Sequence, residues 1–182
     1  MTSRLEFLCL SSDHNYFGHH GREPSTHPTL QVKELHCVAG RGVVGDRFFN
    51  YRPDYAGQIT FFSAEIFSEL QREFSLPHAS PGLTRRNVLV RGLDLPDLSD
   101  RDFCLQGVWF RGAGECKPCY WMNTALAPDS EAWLRGRGGL RARILTDGTL
   151  RLGLAEVVRG ARHSSPTVLV QQMLSDSSTG QF

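Results

Sequence analysis

The chain has 182 residues and a mass of 20.4 kDa, which corresponds to one domain large enough to fold without disulfide bonds. Its net charge of +1 excludes a general electrostatic attraction to nucleic acid or to an anionic membrane. Of its 20 basic residues only Lys33 and Lys117 are lysines and the other 18 are arginines, a bias that is typical of a GC-rich genome and also suits a bound oxyanion.

Several short segments have the alternating, β-branched or aromatic composition of strands, and glycines separate most of them. These segments are 5–10, 30–38, 58–62, 87–90 and 103–110. Many short strands with one or two helices predict a mainly β fold, a barrel or sandwich with helical additions, and not a doubly wound α/β sheet.

One helix is predicted after the third of these segments. Ser63 can cap it, and its apolar residues recur at three- and four-residue spacing before it ends near Ser75. The apolar face consists of Ile66, Phe67, Leu70 and Phe74. A shorter helical turn is predicted at 131–134, between Pro128 and Gly136.

The dipeptide Asp147-Gly148 lies between two β-prone segments, 141–146 and 149–152. This dipeptide favours a two-residue type I′ turn, so these segments are predicted to pair as an antiparallel hairpin. Residues 1–162 are predicted to form a single domain, in which the stretch 1–29 includes a histidine-rich loop. Residues 163–182 are predicted to be a partly disordered tail.

Nothing in the chain indicates a membrane span or secretion. No run approaches the roughly 20 apolar residues of a membrane helix, and residues 1–10 lack the pattern of a signal peptide. We therefore expect a cytoplasmic protein. An odd number of cysteines then favours free thiols, a metal site or catalysis over a disulfide framework. They are Cys9, Cys37, Cys104, Cys116 and Cys119.

Gly40, Gly42 and Gly45 match the spacing of a dinucleotide-binding loop. Such a loop opens a helix that meets the pyrophosphate, but residues 46–52 are β-prone and run into Pro53. We interpret these glycines as a tight loop that brings the backbone and Arg47 close to another region of the molecule.

Cys116 and Cys119 form a C-x-x-C motif with three functional interpretations. A zinc site would need a second pair of ligands, and a thioredoxin-like motif would need an early βαβ unit. A reactive Cys119 thiolate could instead bind a soft metal or carry sulfur, with Cys116 as an auxiliary thiol. The alternative is that both thiols are buried and pack as small apolar groups.

Four of the seven histidines lie between residues 14 and 27. They are His14, His19, His20 and His27. Such a cluster can ligate a metal, but adjacent His19 and His20 cannot both point inward from an extended strand. A surface loop or the rim of an active site is the preferred interpretation.

Residues 135–143 contain four arginines around three glycines. Glycine-rich backbone flanked by arginine can form an anion-binding concavity, and on this argument Arg137 and Arg141 are candidate ligands of an anion. A solvated loop is the alternative. Arg85 and Arg86, at a strand start, form a further arginine-rich turn.

In their order along the chain, these segments resemble the MOSC domain, named for the C-terminal region of molybdenum cofactor sulfurases. The matching segments are 42–48, 58–62, 85–92, the pair Pro118-Cys119 and the pair Asp147-Gly148. The resemblance implies a MOSC-type β-barrel that binds the pterin-based molybdenum cofactor. It implies that Cys119 is a molybdenum ligand, which agrees with soft thiolate chemistry. It also places Arg47, Arg85 and Asn87 near the cofactor.

The resemblance implies a molybdenum-dependent oxidoreductase that reduces N-hydroxylated small molecules, with a His or Asp as proton source. No flavin, haem or nicotinamide site is evident, so such an enzyme needs an electron-donor protein. The first alternative is a sulfurtransferase supplied by a cysteine desulfurase, with a persulfide on Cys119 and Cys116 as the resolving thiol. The second is a non-catalytic carrier of the cofactor. No nucleic-acid or membrane partner is predicted.

Overall fold

The computed structural model describes residues 2–15, 23 and 25–163, which form eleven strands and three α-helices. The strands are β1 (Thr2–Ser11), β2 (Thr29–Gln31), β3 (Glu34–Val38), β4 (Gly42–Val43), β5 (Ile59–Ser63), β6 (Val88–Arg91), β7 (Arg101–Leu105), β8 (Val108–Glu115), β9 (Leu140–Ile144), β10 (Gly148–Arg151) and β11 (Gly153–Arg162). The helices are α1 (Ala64–Glu73), α2 (Trp121–Ala125) and α3 (Ser130–Trp133).

Seven strands close into a barrel in the order β11-β7-β8-β9-β5-β6-β1, and β1 then pairs with β11. All neighbours are antiparallel except β5 and β6, which run parallel and are connected through α1. β2 extends the barrel beside β1, and β10, β3 and β4 form a separate small sheet. The predicted mainly β barrel is therefore confirmed.

The barrel interior is filled by aromatic and aliphatic side chains. Phe61, Phe103 and Phe110 are fully buried, and their ring centroids lie 5.3–5.6 Å apart. Because side chains alternate along a strand, the neighbours of Phe61 on β5, Thr60 and Phe62, point out of the barrel. This alternation creates an outer face on which a second layer can be built.

The three helices cover a portion of that outer face. Phe62 on β5, Phe67 and Leu70 on α1, Met122 on α2 and Leu134 after α3 belong to one buried cluster outside the barrel. The predicted helix corresponds to α1, and the Oγ atom of Ser63 accepts its capping hydrogen bond from Ile66 N at 3.2 Å. The predicted turn at 131–134 corresponds to α3, whereas no sequence pattern indicates α2.

The predicted hairpin around Asp147-Gly148 is wrong. β9 pairs with β5 and β8, and β10 pairs with β3 in the other sheet. Neither Asp147 nor Gly148 has the positive φ that a type I′ turn requires. The Asp147 carboxylate instead accepts a hydrogen bond from Ala39 N at 2.7 Å, which holds the connection against the β3–β4 side of the fold.

A two-residue hairpin lies inside the segment 103–110, for which the sequence predicts a single strand. Gln106 and Gly107 have φ values of 49° and 81°, and Leu105 pairs directly with Val108. Two successive positive φ values are the signature of a type I′ turn, so this segment forms β7 and β8. Likewise, the predicted strand 30–38 is divided between β2 and β3.

Parts of two predicted regions fall outside the described residues. Of the proposed tail at 163–182 the structure describes only His163, and of the histidine-rich stretch it describes His14 and His27 but neither His19 nor His20.

Candidate functional site

A buried carboxylate organises the loop that follows β4. Asp46 Oδ2 accepts hydrogen bonds from Ser11 N at 3.2 Å and Asn87 Nδ2 at 3.0 Å, and its Oδ1 accepts one from Phe48 N at 3.1 Å. At Gly42 the φ of +116° and the 3.1 Å between an added Cβ and Phe48 O require glycine. The loop continues as turns and bends up to β5, so the glycine pattern does not open a dinucleotide-binding helix.

Asn87 fastens this carboxylate to the barrel wall. Its Oδ1 accepts from Thr60 N at 3.0 Å and from Thr60 Oγ1 at 2.9 Å, and its Nδ2 donates to Asp46 and to Cys9 O at 3.3 Å. With 5% exposure, the amide uses its hydrogen-bonding capacity on protein atoms. In this structure Asn87 therefore positions Asp46 and Arg47, the next residue.

Arg47 has an unused donor. Its guanidinium lies 4.6 Å from the centroid of the Phe48 ring, and its Nη1 is 3.9 Å from Asp46 Oδ2, too far for a hydrogen bond. Nη1 is buried and has no hydrogen-bond partner among the described residues. An unsatisfied buried donor on a cation costs free energy, which an anionic ligand would recover.

His14 also contacts the Phe48 ring, edge to face at 5.1 Å between centroids. Partial burial, and then the charge of Arg47, lower the pKa of His14 below its usual value. The ring is therefore neutral at pH 7 and can accept a proton from a more acidic group. One described member of the histidine cluster therefore lies beside the loop of Arg47.

Arg85 points toward the same region from the turn that precedes β6. Its backbone is left-handed, with φ 56°, and its guanidinium donates to His27 O at 3.2 Å and to Asp13 O. Burial, and then the nearby charge of Arg47, lower the pKa of Arg85 to about 10. Two neighbouring arginines in a partly desolvated site favour a bound anion.

A cavity of about 490 Å³ adjoins Arg85. Its wall includes Trp121, and the Arg85 guanidinium carbon lies 5.8 Å from the centroid of that indole. Asn15 also lines the cavity with 6% exposure, and no described residue makes a hydrogen bond with its buried Oδ1. The cavity therefore offers a free acceptor and an aromatic wall, and Trp121 in that wall is two residues along the chain from Cys119.

The C-x-x-C segment is held by backbone hydrogen bonds. Cys116 N donates to Gly139 O at 2.8 Å, and Cys119 O accepts from Met122 N at 2.8 Å as α2 begins. A Cβ on Gly138 would lie 2.4 Å from Cys116 O, so the two chain segments approach as closely as they do only because residue 138 is glycine.

Arg86, which the sequence does not single out as a site residue, secures the same segment. Its Nε donates to Gly138 O at 3.2 Å, its Nη1 to Thr84 O at 2.7 Å and its Nη2 to Cys116 O at 2.9 Å. The side chain is buried and bound to backbone carbonyls, so it positions the cysteines. In the sequence, Arg86 is adjacent to Arg85 at a predicted strand start. This position does not reveal that Arg86 binds backbone carbonyls whereas Arg85 lies near Arg47.

The thiols differ in their surroundings. Cys116 and Cys119 are partly exposed, whereas Cys9 and Cys37 are buried and burial raises the pKa of each to about 12. A buried, protonated thiol is a poor nucleophile and ligand. Among these four thiols, the C-x-x-C pair is therefore the better candidate for chemistry.

Arg141, on β9, is the third arginine that lies near this region. It pairs directly with Thr60 across β5 and β9, so both side chains lie on the outer face that carries Asn87. Its Nη2 donates to Ala113 O at 3.5 Å, and its Nε is buried and makes no hydrogen bond within the described part of the chain. Arg141 thus offers a second unused donor on this face.

Tyr55 is a further residue that the sequence does not single out. Burial raises the pKa of its phenol, and the nearby charge of Arg141 opposes this effect. Its ring packs 5.0 Å from that of Phe48, and Asp54 is held by a bidentate pair with Arg143. Tyr55 therefore connects the Arg47 loop with Arg141, a relation that no local pattern signals.

Arg137 lies elsewhere. Its Nη1 is 3.5 Å from Glu69 Oε2 on α1, and its guanidinium lies 4.1 Å from the centroid of the Trp133 ring. Its contacts are thus on the helical side of the molecule. The structure brings Arg47, Arg85 and Arg141 to one region but engages Arg137 in a separate ion pair.

The described residues hold no group of three or more His, Cys, Asp or Glu side chains placed to bind a metal ion on their own. No helix in the same portion of the chain is long and apolar enough to cross a bilayer. We define the arginine-cysteine site as Arg47, Arg85, Arg141, Cys116 and Cys119. Its chemistry is that of an anion site next to partly exposed thiols.

Comparison with known proteins agrees with this architecture. The chain is similar in structure to the YuaD protein from Bacillus subtilis, with a TM-score of 0.68 and 21% identity over 89% of this chain and 98% of that one. It is also similar to YiiM from Escherichia coli, with a TM-score of 0.61 and 17% identity over 89% of this chain and 72% of that one. No curated protein sequence matches the chain. A family model of the MOSC domain matches residues 19–158, and the chain therefore belongs to the MOSC domain family.

Proposed function

We propose that this MOSC protein binds the pterin-dithiolene molybdenum cofactor in the arginine-cysteine site, with Cys119 as a thiolate ligand of molybdenum. The supporting observation is that two buried arginine donors, Arg47 Nη1 in the loop after β4 and Arg141 Nε on β9, have no hydrogen-bond partner among the described residues. Both belong to cations, and the cofactor is an anion. The site and the ligand are therefore opposite in charge, and the arginine donors match the acceptor oxygens of the cofactor.

The donor set fits such a cofactor. Arg47, Arg85 and Arg141 would hold its anionic oxygens, and Cys119 would supply the soft ligand that complements the cofactor's own sulfur atoms. Asn87 acts indirectly, because it holds the Asp46 carboxylate that shapes the loop of Arg47. When bound, the cofactor would supply reversible two-electron redox chemistry.

We further propose that the chain reduces N-hydroxylated small molecules and works in the cytoplasm. Removal of the hydroxyl oxygen as water requires two electrons and two protons. The electrons come from a separate donor protein. His14 would relay a proton, because its pKa is lowered by burial and by Arg47 and the neutral ring can accept a proton from a more acidic group and pass it on.

A sulfurtransferase function is the second candidate, and the partial exposure of both thiols in one short segment favours it. In that reaction a desulfurase places a persulfide on Cys119. The Cys116 thiolate attacks the inner sulfur of Cys119, releases hydrosulfide and leaves a Cys116–Cys119 disulfide. A non-catalytic carrier is the third candidate, which binds the cofactor without turnover.

The test is metal and pterin analysis of protein purified without oxygen from a molybdenum-competent host. We expect near-stoichiometric molybdenum in the unmodified chain, loss in Cys119→Ala and retention in Cys116→Ala, because only Cys119 is proposed as a ligand. Absence of both metal and oxidised-pterin fluorescence from the unmodified chain would contradict cofactor binding. A persulfide on Cys119, found by intact-mass and peptide analysis, would instead support sulfur transfer.

A further inference from the structure

A second cavity, of about 610 Å³, lies at the end of the barrel where β5, β6 and β8 finish. Its wall consists of the first turn of α1, the loop 93–99 and the segment 136–140 that leads into β9. This volume is typical of small-molecule sites. The apolar portion of the wall consists of Ile66, Leu93, Leu95, Pro96 and Leu140.

This cavity is distinct from the arginine-cysteine site. Arg47, Arg85, Arg141 and the cysteines do not line it. Its wall includes Gly139, the residue whose carbonyl accepts the hydrogen bond from Cys116 N. The two sites therefore share a stretch of backbone but present different side chains.

The charges around this cavity are opposite in sign to those of the arginine-cysteine site. Three acidic residues, Glu65, Asp94 and Glu115, belong to its wall, and Arg137 is the cation among its lining residues. The Arg137 guanidinium already pairs with Glu69, which balances its charge. The lining therefore carries an excess of negative charge beside an apolar surface.

Glu65 is ionised at neutral pH. Although partial burial raises its pKa, hydrogen bonds from Gly92 N and Ser63 Oγ, each at 2.8 Å, outweigh that effect and lower it. Arg91 lies 4.0 Å away, but its guanidinium makes a bidentate pair with Glu6 at 2.6 and 3.2 Å. The negative charge at this edge of the cavity is therefore incompletely balanced.

We propose that this cavity binds a small apolar amine, with the hydrocarbon body against the aliphatic wall and the ammonium group toward the carboxylates. Burial of the body provides most of the affinity, and the carboxylates select for a cation over an anion of the same shape. The ligand is opposite in charge to the anion proposed for the arginine-cysteine site. Binding at the two sites can therefore be tested separately.

Two probes with the same ring and opposite charges test the proposal on the full-length, cofactor-free chain. We expect 1-naphthylmethylamine to bind at least about tenfold more tightly than 1-naphthylacetate, measured by fluorescence titration at neutral pH and moderate salt. Equal affinities, or no binding of the amine, would overturn the proposal. Neither outcome bears on cofactor binding, because no cofactor is present.

Variants locate the binding site. Asp94→Asn combined with Glu115→Gln removes two charges but keeps side-chain acceptors, and we expect the amine to bind about tenfold more weakly. Ser99→Trp fills some of the cavity and should also weaken binding, whereas Glu73→Gln, an exposed position of α1 outside it, should have no effect. Circular dichroism checks folding, and if Ser99→Trp does not fold, the charge variant decides. Unchanged affinity in the charge variant would place the amine elsewhere and refute the proposal.

Discussion

The Asn87 side chain joins two strands of the barrel wall and the loop after β4 through four hydrogen bonds, two with Thr60 on β5, one with Cys9 on β1 and one with Asp46. Its amide donates a hydrogen bond to the buried Asp46 carboxylate. Because unsatisfied buried polar groups are costly, this residue is expected to contribute strongly to the stability of the site.

We predict that Asn87→Ala lowers the free energy of unfolding by about 3 kcal/mol, since it removes a donor to the buried Asp46 carboxylate and the acceptor of two Thr60 donors. Urea denaturation measures the change. Gln71→Ala is the control and should cost less than about 1 kcal/mol, because the Gln71 amide donates to the backbone carbonyls of Pro77 and Ala79 near the surface. Similar losses in both variants would contradict the role assigned to Asn87.

A second prediction concerns three arginines, of which Arg47 and Arg141 each have a buried donor without a hydrogen bond to a described residue and Arg137 is paired with Glu69. Arg47→Gln and Arg141→Gln each remove a cation with a buried, unused donor, so each should reduce cofactor content by about tenfold or more at limiting cofactor. Arg137→Gln should leave it unchanged, because Arg137 is bound to Glu69. Metal and pterin analysis of the purified variants is the measurement. Loss in Arg137→Gln with retention in the other two would reverse the assignment.

At the scale of secondary-structure elements, turns decide which strands meet. Both Gln106-Gly107 and Asp147-Gly148 end in glycine, but only the first pair adopts the two positive φ values of a type I′ turn. The Asp147 side chain is bound to Ala39 N, and β10 pairs with β3. The partner of a strand thus depends on contacts far away in the sequence.

Gly138 allows the segment before β9 to pass next to the C-x-x-C segment. We predict that Gly138→Ala lowers the free energy of unfolding by more than about 2 kcal/mol and increases alkylation of Cys116 by iodoacetamide, because its Cβ would lie 2.4 Å from Cys116 O. Urea denaturation and peptide mass spectrometry measure the two effects.

Gly107→Ala is the matched control for this substitution. An added Cβ there meets no atom within 4 Å, so only its φ of +81° opposes alanine, at a cost of about 1 kcal/mol. Cys116 should react at the unmodified rate in this variant. Equal alkylation of Cys116 in Gly138→Ala and Gly107→Ala would mean that Gly138 does not position the cysteine.

At the scale of the whole molecule, polar contacts reinforce the hydrogen-bonded closure of the barrel. Asp102 on β7 makes a bidentate pair with Arg111 on β8 at 2.8 and 3.2 Å and lies 3.0 Å from His163, which follows β11. The hydrogen bond from Arg111 is the main cause that lowers the pKa of Asp102, and partial burial opposes it. This carboxylate therefore connects three consecutive strands of the barrel.

The lowered pKa of Asp102 makes the free energy of unfolding depend on pH. Because the pKa of Asp102 is lower in the folded state, its contribution is fully present above the usual carboxyl range and is lost as pH falls through the folded-state pKa. We predict that Asp102→Asn destabilises the protein at pH 7 and reduces the loss of stability on acidification. Urea denaturation from pH 7 to pH 3 tests this, with the exposed Asp100→Asn as control. An unchanged pH dependence in Asp102→Asn would contradict the prediction.

Local chemistry in the sequence was sufficient to predict the mainly β fold, helix α1 and its Ser63 cap. Alternation, helical spacing and capping depend on neighbouring residues, so they are readable without tertiary structure. Pro118-Cys119 and the arginine-rich turns indicated the same chemistry, soft ligation and anion binding, that we propose for Cys119, Arg47 and Arg85.

Only the tertiary structure distinguishes the contacts of the individual arginines. Arg86 and Arg85 are adjacent in sequence, but the backbone carbonyls of two distant chain segments engage Arg86, whereas Arg85 turns toward Arg47. Arg137 and Arg141 share one glycine-rich segment, but Glu69 binds the first and the second keeps a free donor. Burial and partner choice depend on which strands and helices meet. Residue type therefore determined what each side chain can do, and packing determined which of them remain available for a ligand.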